Sequence, residues 1–223
     1  SANSFISFSA GDMLLNQNNE VTIFVDQNDC KGVMTAVRNM STDINKVCGA
    51  DVKISTNSNN AKIIVGTIGH SAAIDKIMKQ RKNDMKQLKG KREMYVITID
   101  NGQLVIAGSD RRGTIYGIYE LSKQIGVSPW YYWADTPIEQ HKHIYIKKGV
   151  YTDGEPAVRY RGIFLNDEAP CLTTWVKNTF GTEYGNHEFY AKVFELILRL
   201  KGNLLWPAMW GWAFYADDEL NSK

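Results

Sequence analysis

The sequence predicts an α/β fold in two parts. Through the first 150 residues, short β-branched runs of period two alternate with apolar stripes of period 3.6, the mark of strands feeding helices over a sheet. The composition then changes near residue 129: all six tryptophans (130, 133, 175, 206, 210, 212) and all five prolines (129, 137, 156, 170, 207) lie after residue 128. Charge changes with it. Residues 1–150 hold 19 Lys and Arg against 14 Asp and Glu, whereas residues 151–223 hold 7 against 10. Asp153-Gly154-Glu155-Pro156 has turn chemistry, which sets an N-terminal α/β domain with a mixed sheet at residues 1–155 and a second segment at 156–223.

In the first part, Val21–Val25 reads as a strand, and Val33, Ala36, Val37, Met40, Ile44 and Val47 recur at helical spacing across 32–48. Val52–Ser55 and Ala61–Val65 are further strands, and Ser71–Lys82 is a helix. Met94–Asp100 and Gln103–Ala107 form a hairpin, because Asn101-Gly102 is the pair a tight type I′ turn favours. Ile115, Ile118, Tyr119 and Leu121 make one stripe of a helix over Gly113–Gln124, with Gly126 as its stop.

The second part opens with the apolar strand Gly162–Leu165, ending in Asn166-Asp167-Glu168. An irregular stretch of about 18 residues is expected next, then a helix from Glu188 to Lys201 stopped by Gly202, then the apolar strand Asn203–Trp206. Strand, helix and buried strand make a βαβ unit, whose natural destination is a parallel sheet. One such unit cannot cover both faces of a sheet, so the chain is expected to end inside a larger α/β fold.

Composition narrows the function classes. With 43% hydrophobic and 22% charged residues and a formal charge of +2, the 223-residue chain is globular and offers no overall field for nucleic acid or an anionic membrane. The eight basic residues of Lys76–Arg92 lack interleaved aromatics and read as a solvated helix and loop. No apolar run reaches the ~18 residues of a membrane span. The first residues lack the pattern of a leader, so the protein is read as cytosolic or as processed ahead of this numbering. Cys30, Cys48 and Cys171 have no metal-ligand spacing; they read as ordinary thiols, with a Cys30–Cys48 bridge as the alternative. His70, His141, His143 and His187 are scattered and form no catalytic set.

The C-terminal end of a parallel strand is where α/β folds gather active-site residues, and Asn166-Asp167-Glu168 occupies that place. Adjacent carboxylates on an extended strand point to opposite sides, so one faces a ligand at most; the alternative is a solvated turn. Trp206-Pro207-Ala208-Met209-Trp210-Gly211-Trp212 follows the second strand, and its indole faces suit the C–H faces of a pyranose or, alternatively, a core or interdomain seam. Gly108–Gly113 joins a strand to a helix and reads as an N-cap at Ser109 or Asp110, with anion binding by its backbone as the weaker reading. Asp217-Asp218-Glu219 reads as helix N-terminal charge.

Three stretches, GSDRRGTIYGIYELSKQIGVSPWYYWADTP, RGIFLNDEAPCLTTW and FYAKVFELILRLKGNLLWPAMWGWAF, resemble the start of glycoside hydrolase family 115, the α-glucuronidases that act on glucuronoxylan. The resemblance implies an N-terminal accessory domain followed by a (β/α)8 barrel. It implies removal of 4-O-methylglucuronic acid from glucuronoxylan or an acidic xylo-oligosaccharide by inversion, with no metal and no cofactor, in a secreted or periplasmic protein. Only 65 residues follow residue 158, whereas a barrel takes ~250. The second segment therefore reads as the first βαβ unit of a truncated barrel.

Inverting hydrolysis needs an acid and a base whose carboxyls stand ~6.5–9.5 Å apart. Asp167 and Glu168, neighbours in sequence, cannot be that pair, so the chain alone is expected to be inactive. In this reading Glu168, then Asp167, supplies a site carboxylate. Asn166 hydrogen-bonds a sugar hydroxyl, and Trp206, Met209 and Trp210 wall the pocket. Strands without their barrel neighbours are also expected either to promote homo-oligomer formation through residues 160–215 or to leave part of that segment mobile. The alternative function is a non-catalytic α/β module whose tryptophan-rich end docks a glycan or a partner.

Overall fold

Alternation of apolar and polar side chains dictates the layers seen in the computed structural model, which describes residues 3–166, 171–182 and 185–207. The chain divides into two units, Ser1–Ala157 and Val158–Lys223.

The first unit begins with β1 (Ile6–Ser7) and β2 (Met13–Leu14), both antiparallel to β8 (Tyr145–Ile146) in a small three-stranded sheet. The main sheet follows the order β4 (Asp51–Ser55), β3 (Glu20–Val25), β5 (Ile63–Thr67), β7 (Gln103–Gly108), β6 (Tyr95–Asp100), β9 (Val150–Tyr151). The first four are parallel, and β6 and β9 are antiparallel additions, so the sheet is mixed. At the hairpin, Asp100 faces Gln103, and Asn101 and Gly102 take φ of 46° and 73°, the left-handed pair that a type I′ turn needs.

Helices cover both faces. Val33, Val37, Met40 and Ile44 of α1 (Lys31–Cys48) are wholly buried, and α1 packs on α4 (Arg111–Gln124), which lies across β5, β6 and β7. On the other face Ile74 and Ile77 of α2 (Ala72–Gln80) meet Phe24, Ile64, Val96 and Val105, joined by Met85 of the short α3 (Lys82–Met85) and by Leu88. The close seat of α4 depends on glycine: a Cβ on Gly113 would collide with the carbonyl oxygen of Met94, and one on Gly117 would lie 2.8 Å from Ile106 Cγ2.

The loop ahead of α4 turns its polar side chains onto nearby backbone N–H groups. Asp110 Oδ1 accepts the Gly113 N–H at 2.8 Å, its Oδ2 accepts the Glu93 N–H at 2.9 Å, and Ser109 Oγ accepts the Met94 N–H at 3.0 Å. Asp110 is therefore the N-cap, and both of its carboxylate oxygens are engaged within the fold. At the carboxyl ends of the parallel strands, buried Asp29 accepts the Thr67 N–H at 2.8 Å and the Thr67 hydroxyl at 3.0 Å, with Thr114 Oγ1 2.7 Å from Thr67 Oγ1. Cys30, Cys48 and Cys171 are free thiols, which removes the Cys30–Cys48 bridge. Burial raises the Cys48 thiol pKa, and its Sγ donates to Ile44 O at 3.2 Å.

The second unit contains β10 (Gly162–Phe164), α5 (Cys171–Phe180), α6 (His187–Arg199) and β11 (Leu204–Trp206), and β10 and β11 are parallel. Two expectations change here. The stretch read as irregular contains α5, because Trp175 and Phe180 gain ring contacts with Phe189 of α6 at 6.5 and 6.0 Å, and Val176 is buried. At the end of α6 the left-handed residue is Lys201, with φ of 60°, and Gly202 follows it. Gly202 N–H closes the helix on Ile197 O at 2.7 Å, and a Cβ there would crowd Ile197 Cγ2 at 2.9 Å, so the glycine is needed for close approach.

Candidate functional site

The second unit is assembled from the amino ends of its two strands. The Arg161 N–H donates to Asn203 Oδ1 at 2.9 Å, and Asn203 returns its own N–H to Arg161 O at 2.7 Å. Asn203 Nδ2 reaches Arg159 O at 2.6 Å, and Arg161 Nε donates to Lys201 O at 2.9 Å. A Cβ at Gly162 would collide with the Leu204 carbonyl oxygen, so only glycine lets the strands meet there. These contacts fix the register Gly162–Leu204, Ile163–Leu205, Phe164–Trp206. The carboxyl ends of both strands therefore share one edge.

That edge carries two of the residues singled out from the sequence. The Leu165 N–H continues the ladder to Trp206 O at 3.0 Å, and Asn166, exposed, follows directly. Trp206 is 59% exposed and meets Phe164 edge-on at 6.3 Å. An amide that donates and accepts and an open indole face are groups that hydroxyl-rich ligands use. Asp167, Glu168, Met209 and Trp210 lie outside the described residues, as does Asp217-Asp218-Glu219.

Reasoning from the sequence missed a buried ion pair in the last two turns of α6, the helix that leads into the amino end of β11. Arg199, 4% exposed on α6, donates Nε to Glu195 Oε1 at 3.0 Å, and Lys192 Nζ stands 3.2 Å from Glu195 Oε2. The spacing of Glu195 and Arg199, four apart on a helix, is the signal that would have found it. Among the described residues no group of three His, Cys, Asp or Glu side chains is placed to hold a metal ion, and no helix is long and apolar enough to cross a membrane.

With this geometry in view, the comparisons with known proteins divide along the chain. Residues 153–223 match Glycosyl hydrolase family 115, and residues 12–121 match the Glycosyl hydrolase family 67 N-terminus. A solved family 115 4-O-methyl-α-glucuronidase with specificity for decorated arabinogalactans is 35% identical, with a TM-score of 0.84 over 95% of this chain and 28% of its own length. CpGH84D (10% identity, TM-score 0.55, 97% of this chain and 38% of that one) shares the fold. A mutant β-hexosaminidase of Streptomyces plicatus (11%, 0.54, 91% and 32%) shares it too. No curated protein sequence matches.

Both family matches and the solved relative are glycoside hydrolases, and that is the class of this chain. Within it, the chain belongs to glycoside hydrolase family 115, and it spans 28% of the length of the family 115 structure it matches.

Proposed function

We propose that residues 1–155 are an accessory domain and residues 156–223 the opening of a catalytic (β/α)8 barrel in an enzyme that removes (4-O-methyl)glucuronic acid side chains. The observation that carries this reading is the parallel pairing of β10 with β11, which brings Asn166 and Trp206 to one carboxyl-end edge in a segment matching family 115. Carboxyl-end edges of parallel strands are where barrel enzymes do their chemistry.

In this reading Glu168, with Asp167 second to it, supplies one site carboxylate immediately after Asn166. Asn166 holds a sugar hydroxyl, and Trp206, Met209 and Trp210 wall the pocket. The reaction is inverting: one carboxylic acid protonates the leaving glycosidic oxygen while a carboxylate activates water on the opposite face, and the second group of the pair comes from outside residues 1–223. Glucuronoxylan or an acidic xylo-oligosaccharide is the substrate, and the protein works outside the cytoplasm, where such polymers are met.

The test is release of (4-O-methyl)glucuronic acid from glucuronoxylan by the chain produced with its downstream coding sequence, against Glu168→Gln. Release by the wild type and loss of at least a hundredfold in the variant is expected, since removing a catalytic acid or base costs ~10²–10⁴ in rate. No release by the wild type, or equal release by both, overturns the proposal.

A further inference from the structure

The first unit holds a groove of about 600 Å³ far down the chain from Asn166 and Trp206, with Ile68 and Met78 among its lining residues and Lys79, Lys82, Lys86 and Lys89 beside them. The four lysines come from successive short elements that line the groove together: Lys79 from the last turn of α2, Lys82 from the start of α3, and Lys86 and Lys89 from the single turn that follows it, with the non-helical Arg81 between the two helices. All four are exposed, and none has a carboxylate within ion-pair distance among the described residues. Asp75, the acidic residue in the lining, accepts the Gly69 N–H at 3.0 Å. All four side chains lie at the surface and take no part in the core.

We infer that this groove binds the uronate-bearing polysaccharide chain itself, as a surface separate from the site of cleavage; the inference rests on the glucuronate-releasing function proposed above. Four ammonium groups against the single carboxylate of Asp75, beside an apolar wall, complement a polymer with spaced carboxylates and C–H faces of sugar rings. Nucleic acid is the less suited polyanion, because the groove presents no aromatic side chain on which a base could stack.

Affinity electrophoresis of the 223-residue chain in gels containing glucuronoxylan, carboxyl-reduced glucuronoxylan or neutral xylan tests this. A variant carrying Lys79→Gln, Lys82→Gln, Lys86→Gln and Lys89→Gln is run beside it, its fold checked by circular dichroism. Retardation by glucuronoxylan alone is expected, at least tenfold weaker in the variant and weakened by salt. Equal retardation of wild type and variant overturns the groove assignment while leaving the glycan reading intact. Binding to DNA at least as tight as to glucuronoxylan, or a wild-type dimer that the variant dissociates, also overturns it by assigning the groove to another polyanion or to a second copy. No binding to any polymer overturns it without touching glucuronate release, which is measured separately by hydrolysis.

Discussion

The Tyr95 hydroxyl donates to Asp153 Oδ2 at 2.7 Å, tying strand β6 to the segment that follows β9. Tyr95 is 2% exposed, so its ring is core while its oxygen reaches the chain just ahead of the division between the units. Burial first, then the charge of Glu120 and the hydrogen bond and charge of Asp153, push the Tyr95 pKa above its ordinary value.

Tyr95→Phe is accordingly expected to cost about 1 kcal/mol of stability at neutral pH, the usual worth of one hydrogen bond. The pH dependence has a definite sign. The folded phenol stays protonated above ~10, where the unfolded one ionises, so its contribution is present below pH ~10 and is lost as pH rises beyond it. Chemical denaturation from pH 8 to 11 checks this: the wild type should lose stability at the alkaline end and the variant should lose less. A variant with an equally steep alkaline limb would refute the assignment.

Asn203 offers a second test, on the other unit. Asn203→Ala removes the acceptor for the Arg161 N–H and the donor to Arg159 O, an expected loss of about 1–3 kcal/mol. Amide exchange should accelerate over 161–164 and 203–206 while β3, β5 and β7 keep their protection. Asn203→Asp, which retains the acceptor, should fall between. Equal acceleration in both units would contradict separate folding on either side of Ala157.

The regular part of the fold was legible because local and tertiary preferences agree there. The stripe of α1 and the Asn101-Gly102 turn each state one structure, and Asp110 is both a good cap residue and an actual cap. In α5 they disagree: Thr173, Thr174, Trp175 and Val176 are weak helix formers, and burial against Phe189 overrides that propensity. Its apolar positions Leu172, Trp175, Val176 and Phe180 do follow helical spacing, so the pattern was present but masked by composition. At the site, strand periodicity was enough to bring Asn166 and Trp206 to one edge. The partner of an acid/base pair is a long-range relation that no local period encodes.

That relation yields a third prediction, resting on the proposed function. Purified residues 1–223 should release no methylglucuronic acid from glucuronoxylan above the level of Glu168→Gln, since inversion requires two carboxyls held ~6.5–9.5 Å apart and adjacent residues cannot provide them. Release above that control, measured by product chromatography, would show that the chain holds a complete pair.

The last prediction concerns association. Register places Phe164, Leu204 and Trp206 on one face of the β10–β11 pair, where they are 56%, 43% and 59% exposed. Neither strand has a second neighbour among the described residues, so backbone donors and acceptors line both outer edges. An apolar face beside open edges favours pairing with another copy. The chain should therefore show a weight-average mass that rises with concentration up to about 100 μM, and Phe164→Ser with Leu204→Ser should suppress the rise. Both positions are exposed, so the double variant should retain the fold of the first unit, which circular dichroism and an unchanged alkaline limb from Tyr95 would verify. A constant monomer mass, with strong amide protection throughout 162–206, would mean that the pair is complete on its own, and would favour a docking module over the opening of a barrel.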